Sequence, residues 1–292
     1  MIDTSLFIHP DDAKAIRAIE NIPGASAICK KIMEYGFEKL FYGQNIASFI
    51  RLSPTQLPHI YKRLPPICEQ LGIEEPEFYL EMNPFPNACT FGDTKKFIRV
   101  TSGLLETMKN DEIDSVIAHE CGHILCRHTL YHNLATFLLQ DSSRVLAEDI
   151  SQTLMAALFY WQRKSELSCD RVAAVITSPN TVARVQARLS GGGLELTRGL
   201  NMQEWAAQAD EYEQLYNERG IWNKYLQLMN TLALDHPFSA VRVREVLKWG
   251  SQPKYQEARQ ALNKREHHRC PTCGKPASSI KYCRFCGTKI NP

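Results

Sequence analysis

What the sequence lacks narrows the possibilities first. No stretch approaches the about 20 mostly apolar residues that a membrane-spanning helix needs. The best apolar runs, residues 134–139 and 154–161, are too short, and Asp141, Arg144, Glu148 and Asp149 lie between them. The amino terminus, Met1-Ile2-Asp3-Thr4-Ser5, lacks the basic start and long apolar core of a secretory leader, so a cytoplasmic chain without a transmembrane segment is expected. No excess of either charge is present: 34 basic against 32 acidic residues leave +2, which argues against a polyanion such as nucleic acid as the main partner. Repeats and low-complexity tracts are also missing. Six of the ten cysteines, Cys29, Cys68, Cys89, Cys121, Cys126 and Cys169, are scattered without pairing logic and are expected as small buried hydrophobes. A hydrophobic content of 44% over 292 residues suits one substantial globular domain plus an appendage.

The most informative feature present is His119-Glu120-Cys121-Gly122-His123, an H-E-x-x-H motif. Residues four apart share a helix face, so His119 and His123 can offer two imidazoles to one metal ion. Glu120 follows the first ligand, where a carboxylate reaches a metal-bound water without binding the metal, and zinc lowers the pKa of that water to about 7. Residues 110–118 read as the start of the same helix, with an acidic first turn. A third ligand is needed. The metzincin pattern fails, because Cys126 and Thr129 occupy its glycine and histidine positions. His128 and His132 lie further along the presumed helix, which carries them away from the ion, so they are read as solvent or satisfied core histidines.

Ser165-Glu166-Leu167-Ser168-Cys169-Asp170 offers a better candidate. Glu166 and Asp170 share a helix face; Glu166 would complete a His₂Glu zinc site with the fourth position open. Asp170 would accept a hydrogen bond from the outer nitrogen of a ligand histidine, fixing its tautomer.

With these residues the chain resembles the gluzincin zinc metallopeptidases of the HtpX and CAAX prenyl endopeptidase group. Asn87-Ala88-Cys89-Thr90-Phe91-Gly92, residues 97–105 and the block from His236-Pro237 to Arg242-Val243 resemble further family segments in the same order, so that the likeness covers residues 75 to 247. The resemblance implies a zinc endopeptidase with Glu120 as general base. Asn87 and Ala88 would belong to an edge strand that binds extended substrate by strand addition. His236 would stabilise the oxyanion, and Arg242 would orient active-site carboxylates or substrate. The membrane members of the family carry spanning helices that this chain lacks; residues 145–162 are expected instead as a core helix or lid.

The carboxyl end carries a second signal. Cys270-Pro271-Thr272-Cys273-Gly274 and Cys283-Arg284-Phe285-Cys286-Gly287 form two C-x-x-C-G knuckles, the spacing of a tetrahedral Cys₄ zinc site. Disulfides are the competing reading, and a reducing cytosol disfavours them. A basic surround, Lys264, Arg265, Arg269, Lys275, Lys281 and Arg284 among it, suits docking onto a protein better than stacking on single-stranded nucleic acid.

The expected fold is α+β: a mainly helical zincin-like peptidase domain with a small sheet over residues 1–249, in which a core over residues 75–247 follows a helical segment over residues 1–74. A polar helical linker over 250–269 and a zinc ribbon over 270–292 complete the chain. Two zinc ions are expected, one catalytic and one structural, with peptides or unfolded proteins as substrate. The alternative is a zinc-stabilised scaffold or adaptor that binds peptides without cleaving them; Glu120 speaks against it, since binding alone needs no base.

Overall fold

The computed structural model describes residues 2–25, 27, 38–139, 152–217, 238–266, 270, 272, 288 and 289. The first half of the chain runs α1 (Pro10–Glu20), α2 (Glu38–Ser48), β1 (Ile50–Leu52), α3 (Pro58–Tyr61), α4 (Leu64–Leu71), β2 (Glu77–Glu81), β3 (Ala88–Phe91), β4 (Phe97–Thr101) and α5 (Ser102–Thr107). Helices follow: α6 (Asn110–Leu125), α7 (Thr129–Leu139), α8 (Gln152–Ile176), α9 (Pro179–Gly191), α10 (Leu194–Thr197), α11 (Met202–Asn217), α12 (Ser239–Gly250) and α13 (Pro253–Glu266). Pro10, Pro58, Pro179 and Pro253 each open a helix, where the missing N–H costs nothing and the fixed φ fits. The fold is α+β, mainly helical, with one small sheet.

The sheet has the order β1-β2-β4-β3. The central pair β2 and β4 is parallel, and both outer strands join it antiparallel. Strand side chains alternate between faces. Phe78, Ile98 and Val100 point into the main core with Ile113, Val116 and Ile117 of α6. Tyr79, Phe91 and Phe97 point the other way, onto Phe41 and Phe49. Strand β3 is at the end of the sheet beside α6, with Ala88 opposite Val100. The turn that leads into it is held by close approach: a Cβ on Gly103 would stand 2.1 Å from the Pro84 carbonyl oxygen, so only glycine fits there.

Helix α6 begins where the acidic turn predicts. Glu112 returns to accept from the Lys109 backbone N–H at 2.9 Å and, fully buried, pairs with Arg188 of α9 at 3.1 Å. This ties the helix start to α9. Helix α8 crosses α6 at Gly122, whose Cβ would lie 3.1 Å from the Cα of Cys169. The absent side chain lets the two backbones meet, and this crossing brings two distant stretches of sequence to one place. Helix α1 docks on the other side of α8. Asp12 accepts from Trp161 Nε1 at 2.9 Å and from Ser168 Oγ at 2.5 Å, and Ile19 packs with Leu158 and Trp161.

Two expectations are revised here. Residues 110–132 do not form one straight helix: α6 ends at Leu125, Arg127 adopts φ 60°, and α7 starts at Thr129. The polar stretch expected as a helical linker is helical, as α13, but it also packs Tyr255, Ala258 and Leu262 into the main core. Residues 154–161, which lie in the segment considered as a core helix or lid, belong to α8, with Leu154, Leu158 and Trp161 buried. No helix among the described residues is long and apolar enough to cross a membrane.

Candidate active site

One turn of α6 and one turn of α8 face each other across the Gly122 crossing. His119 and His123 come from α6, Glu166 and Asp170 from α8, and all four are buried. His119 Nε2 lies 3.2 Å from Glu166 Oε2, and His123 Nε2 lies 3.4 Å from Glu166 Oε1. Two ligand atoms each about 2.0–2.1 Å from one tetrahedral zinc stand roughly 3.3 Å apart, so each histidine lies at ligand-pair distance from Glu166, through different carboxylate oxygens. Among the described residues, the groups that bring three ligand atoms together are His119, His123 and Cys169, and His123, His132 and Glu166. Both ring nitrogens of His123 are buried without a hydrogen-bond partner among the described residues. Burial pushes the His123 pKa down to about 4, which keeps the ring neutral, the form that ligates.

The other side of His119 is fixed by a carboxylate. Its Nδ1 lies 3.0 Å from Asp170 Oδ1, so an N–H there donates to Asp170 and leaves the Nε2 lone pair directed at Glu166 and the place an ion would take. Burial opposes charge on this ring, yet Asp170 and Glu166 together raise its pKa to about 9. The negative field that holds a proton on His119 is the field a divalent cation placed there would meet. Arg242 of α12 closes the cluster. Its Nε and Nη2 grip Asp170 at 2.7 and 2.6 Å, and its Nη1 lies 3.1 Å from Glu166 Oε2. Burial raises the Asp170 pKa, but the Arg242 guanidinium outweighs it and holds the carboxyl below its ordinary value. With His119 neutral, as a metal ligand must be, the buried carboxylates of Glu120, Glu166 and Asp170 against one buried guanidinium would leave two negative charges, which a divalent cation would balance.

Glu120 points to the sheet side of α6. The Thr90 hydroxyl of β3 donates to Glu120 Oε2 at 2.6 Å and stands 3.1 Å from the Glu120 backbone oxygen. Thr90 has no role in the reading of the sequence. The available signal is strand alternation, since Thr90 shares a face with Ala88. Asn87 and Ala88 line the same cleft, together with His119, Glu120, Asp170 and Arg242. Thr101 anchors this end of β3, accepting from the Asn87 N–H at 2.9 Å through its hydroxyl.

The bend at Arg127 changes the surroundings of the remaining histidines. His132 returns to within 4.8 Å of His123, centroid to centroid, and its ring joins His123 and Glu166 as a group able to hold an ion. The expectation that it is carried away is therefore not met. His128 is a satisfied core histidine: Nε2 lies 3.1 Å from Asp12 Oδ2 and Nδ1 lies 3.5 Å from Cys169 Sγ. Cys169 is buried at the helix crossing and also lies within ligand distance of His119 and His123. His236, Cys273, Cys283 and Cys286 lie outside the described residues; Cys270 is described and buried.

Comparison with known proteins points to a peptidase family. The model of peptidase family M48 matches residues 55–250. The plastoglobule-localized metallopeptidase 48, chloroplastic, of Arabidopsis thaliana is 30% identical over 269 residues, which cover 90% of this chain and 78% of the relative. A protease HtpX homolog of Trichormus variabilis is 25% identical over 231 residues, 68% of this chain and 75% of the relative. Another from Pyrococcus abyssi is 27% identical over 141 residues, so that the alignment spans only 48% of each protein. No solved structure matches the chain.

Proposed function

The chain belongs to peptidase family M48, and from that premise we propose an endopeptidase whose zinc is held by His119, His123 and Glu166 and whose general base is Glu120. The observation that carries this reading is the pair of 3.2 and 3.4 Å separations between the two Nε2 atoms and the Glu166 carboxylate. Zinc, when bound, supplies a Lewis acid and a water acidic enough to lose a proton near neutral pH. The chain's own residues do the rest. Glu120 takes the proton of the attacking water and gives it to the departing amine. The Thr90 hydroxyl, donating to Oε2, holds one carboxylate oxygen and leaves the other for the water. Asp170 keeps the His119 proton on Nδ1, and Arg242 holds Asp170 and Glu166 in place. His236 is assigned to the oxyanion by the family resemblance.

Peptides or unfolded proteins are the substrate. Their extended backbone would pair with the outer edge of β3 beside Asn87 and Ala88, a mode that reads main chain more than sequence. A scaffold that only binds peptides has no use for a threonine-oriented glutamate at the centre of its cleft, so that alternative is disfavoured. The carboxyl-terminal residues form, in this proposal, a ribbon domain with a second, structural zinc on Cys270, Cys273, Cys283 and Cys286, following the peptidase domain of residues 1–249. With so few residues it takes much of its folding energy from the metal and docks onto a protein partner. Thiol ligands of this kind persist in a reducing compartment, and the cytoplasm is the location proposed.

The test is hydrolysis of unfolded casein. Cleavage is expected to stop on treatment with a zinc chelator and to return when zinc is restored. Cleavage that persists unchanged in the chelator would refute the metal-dependent mechanism.

A further inference from the structure

The loop between β2 and β3 holds two large apolar side chains out in water. Met82 and Phe85 are 86% and 77% exposed, within Met82-Asn83-Pro84-Phe85-Pro86, the segment that leads into Asn87 and Ala88 of the cleft. Exposed loop tips are ordinarily mobile, but this one is braced. The Ser102 hydroxyl accepts from the Asn83 N–H at 3.2 Å and donates to the Asn83 carbonyl at 3.1 Å. The Thr101 hydroxyl donates to the Phe85 carbonyl at 2.9 Å, and the Phe85 N–H donates to Asn83 Oδ1 at 3.0 Å. Pro84 and Pro86 fix two φ angles, and Gly103 seats the Pro84 carbonyl where no side chain fits. Single apolar residues scattered over a surface need no reason. A phenylalanine and a methionine held together on a rigid loop beside a cleft are different, because a preorganised apolar surface loses little entropy on binding.

We propose that Met82 and Phe85 form an exosite that binds an apolar side chain of an unfolded polypeptide at a distance from the bond being cut. The inference rests on the peptidase reading above, in which extended substrate pairs with the outer edge of β3. Thr90, bonded to Glu120, marks the reacting part of that edge. Phe85 lies five positions earlier in the chain, and an extended chain advances about 3.3 Å per residue. A substrate that continues along β3 past Ala88 therefore reaches Phe85 within about five residues of the scissile bond. Both side chains suit a ligand of variable sequence. The phenylalanine ring offers a broad apolar face, and methionine adapts its shape to irregular partners. Residues 82–88 include no lysine or arginine, so the loop lacks the cations that draw a protein surface onto anionic lipid. An unfolded chain exposes apolar side chains that a folded one buries, so the exosite selects for the unfolded state itself.

The test first maps the bonds cut in casein by mass spectrometry. Peptides are then built around one such bond, with leucine or serine placed about four to six residues from it on either side. On one side, wild type is expected to show kcat/KM about three- to tenfold higher for leucine than for serine, expressed in KM. In the double variant Met82→Ser, Phe85→Ser that ratio should fall to about one, and Phe85→Leu alone should keep it. A merely structural role would lower the leucine and serine peptides together. A ratio of about one in wild type on both sides, or a ratio unmoved in the double variant, would overturn the exosite and leave the peptidase reading intact. An unmoved ratio together with flotation of wild type, but not of the double variant, on phosphatidylcholine vesicles would assign the loop to a lipid surface instead. Casein left uncut by the zinc-loaded protein would remove both readings.

Discussion

Glu120→Gln is expected to lower casein hydrolysis by a factor of at least about a hundred, the range in which a lost general acid–base typically falls, with zinc content unchanged. Glutamine keeps the size of the side chain and can still take the Thr90 hydrogen bond at 2.6 Å, but it cannot take a proton. Glu120 also belongs to neither of the groups whose ligand atoms cluster closely enough to hold an ion among the described residues. Loss of turnover without loss of metal is therefore the signature of a base. Initial-rate measurements at saturating casein, paired with metal analysis of the same sample, read both quantities. Activity within tenfold of wild type would mean that another group carries the proton.

Arg242→Met is expected to be the most damaging substitution for stability around the site. Arg242 is 4% exposed and serves two carboxylates, Asp170 and Glu166, which are buried as well. Removing one member of a buried ion cluster leaves uncompensated charge, at a cost of about 3–5 kcal/mol. The effect should be largest in chelator-treated protein, where no cation neutralises Glu166. Adding Asp170→Asn should recover some of the loss, since it removes the charge that Arg242 faced. Urea unfolding of the metal-free single and double variants measures this. A loss below about 1 kcal/mol in the single variant would show that the cluster is solvated or tolerant of the missing cation.

These two residues illustrate what is and is not legible in the chain. Glu120 is readable because the motif is local: one helix period sets His119, Glu120 and His123 in their relative directions. Glu166 and Asp170 are readable as a four-residue spacing, although only the Gly122 crossing brings them against the histidines. Arg242 is 72 residues from Asp170 along the chain, and no periodicity links the two; family likeness is the sole pointer. The return of His132 is hidden for another reason. Cys126-Arg127-His128 contains neither glycine nor proline, so nothing announces the left-handed residue at Arg127 that ends α6. Helix α13 reads as a linker because its apolar positions, Tyr255, Ala258 and Leu262, are few and set among charged residues.

The site proposed on α6 and α8 makes one demand above the others: Glu166 should bind the same ion as His119 and His123. Zinc per chain, measured by mass spectrometry on wild type and Glu166→Ala, tests this directly. Two equivalents in wild type falling to one in the variant is the expected result, with the remaining equivalent in the carboxyl-terminal cysteines. An unchanged zinc content in Glu166→Ala would contradict the account and move the third ligand to another group, with Cys169 and His132 nearest at hand.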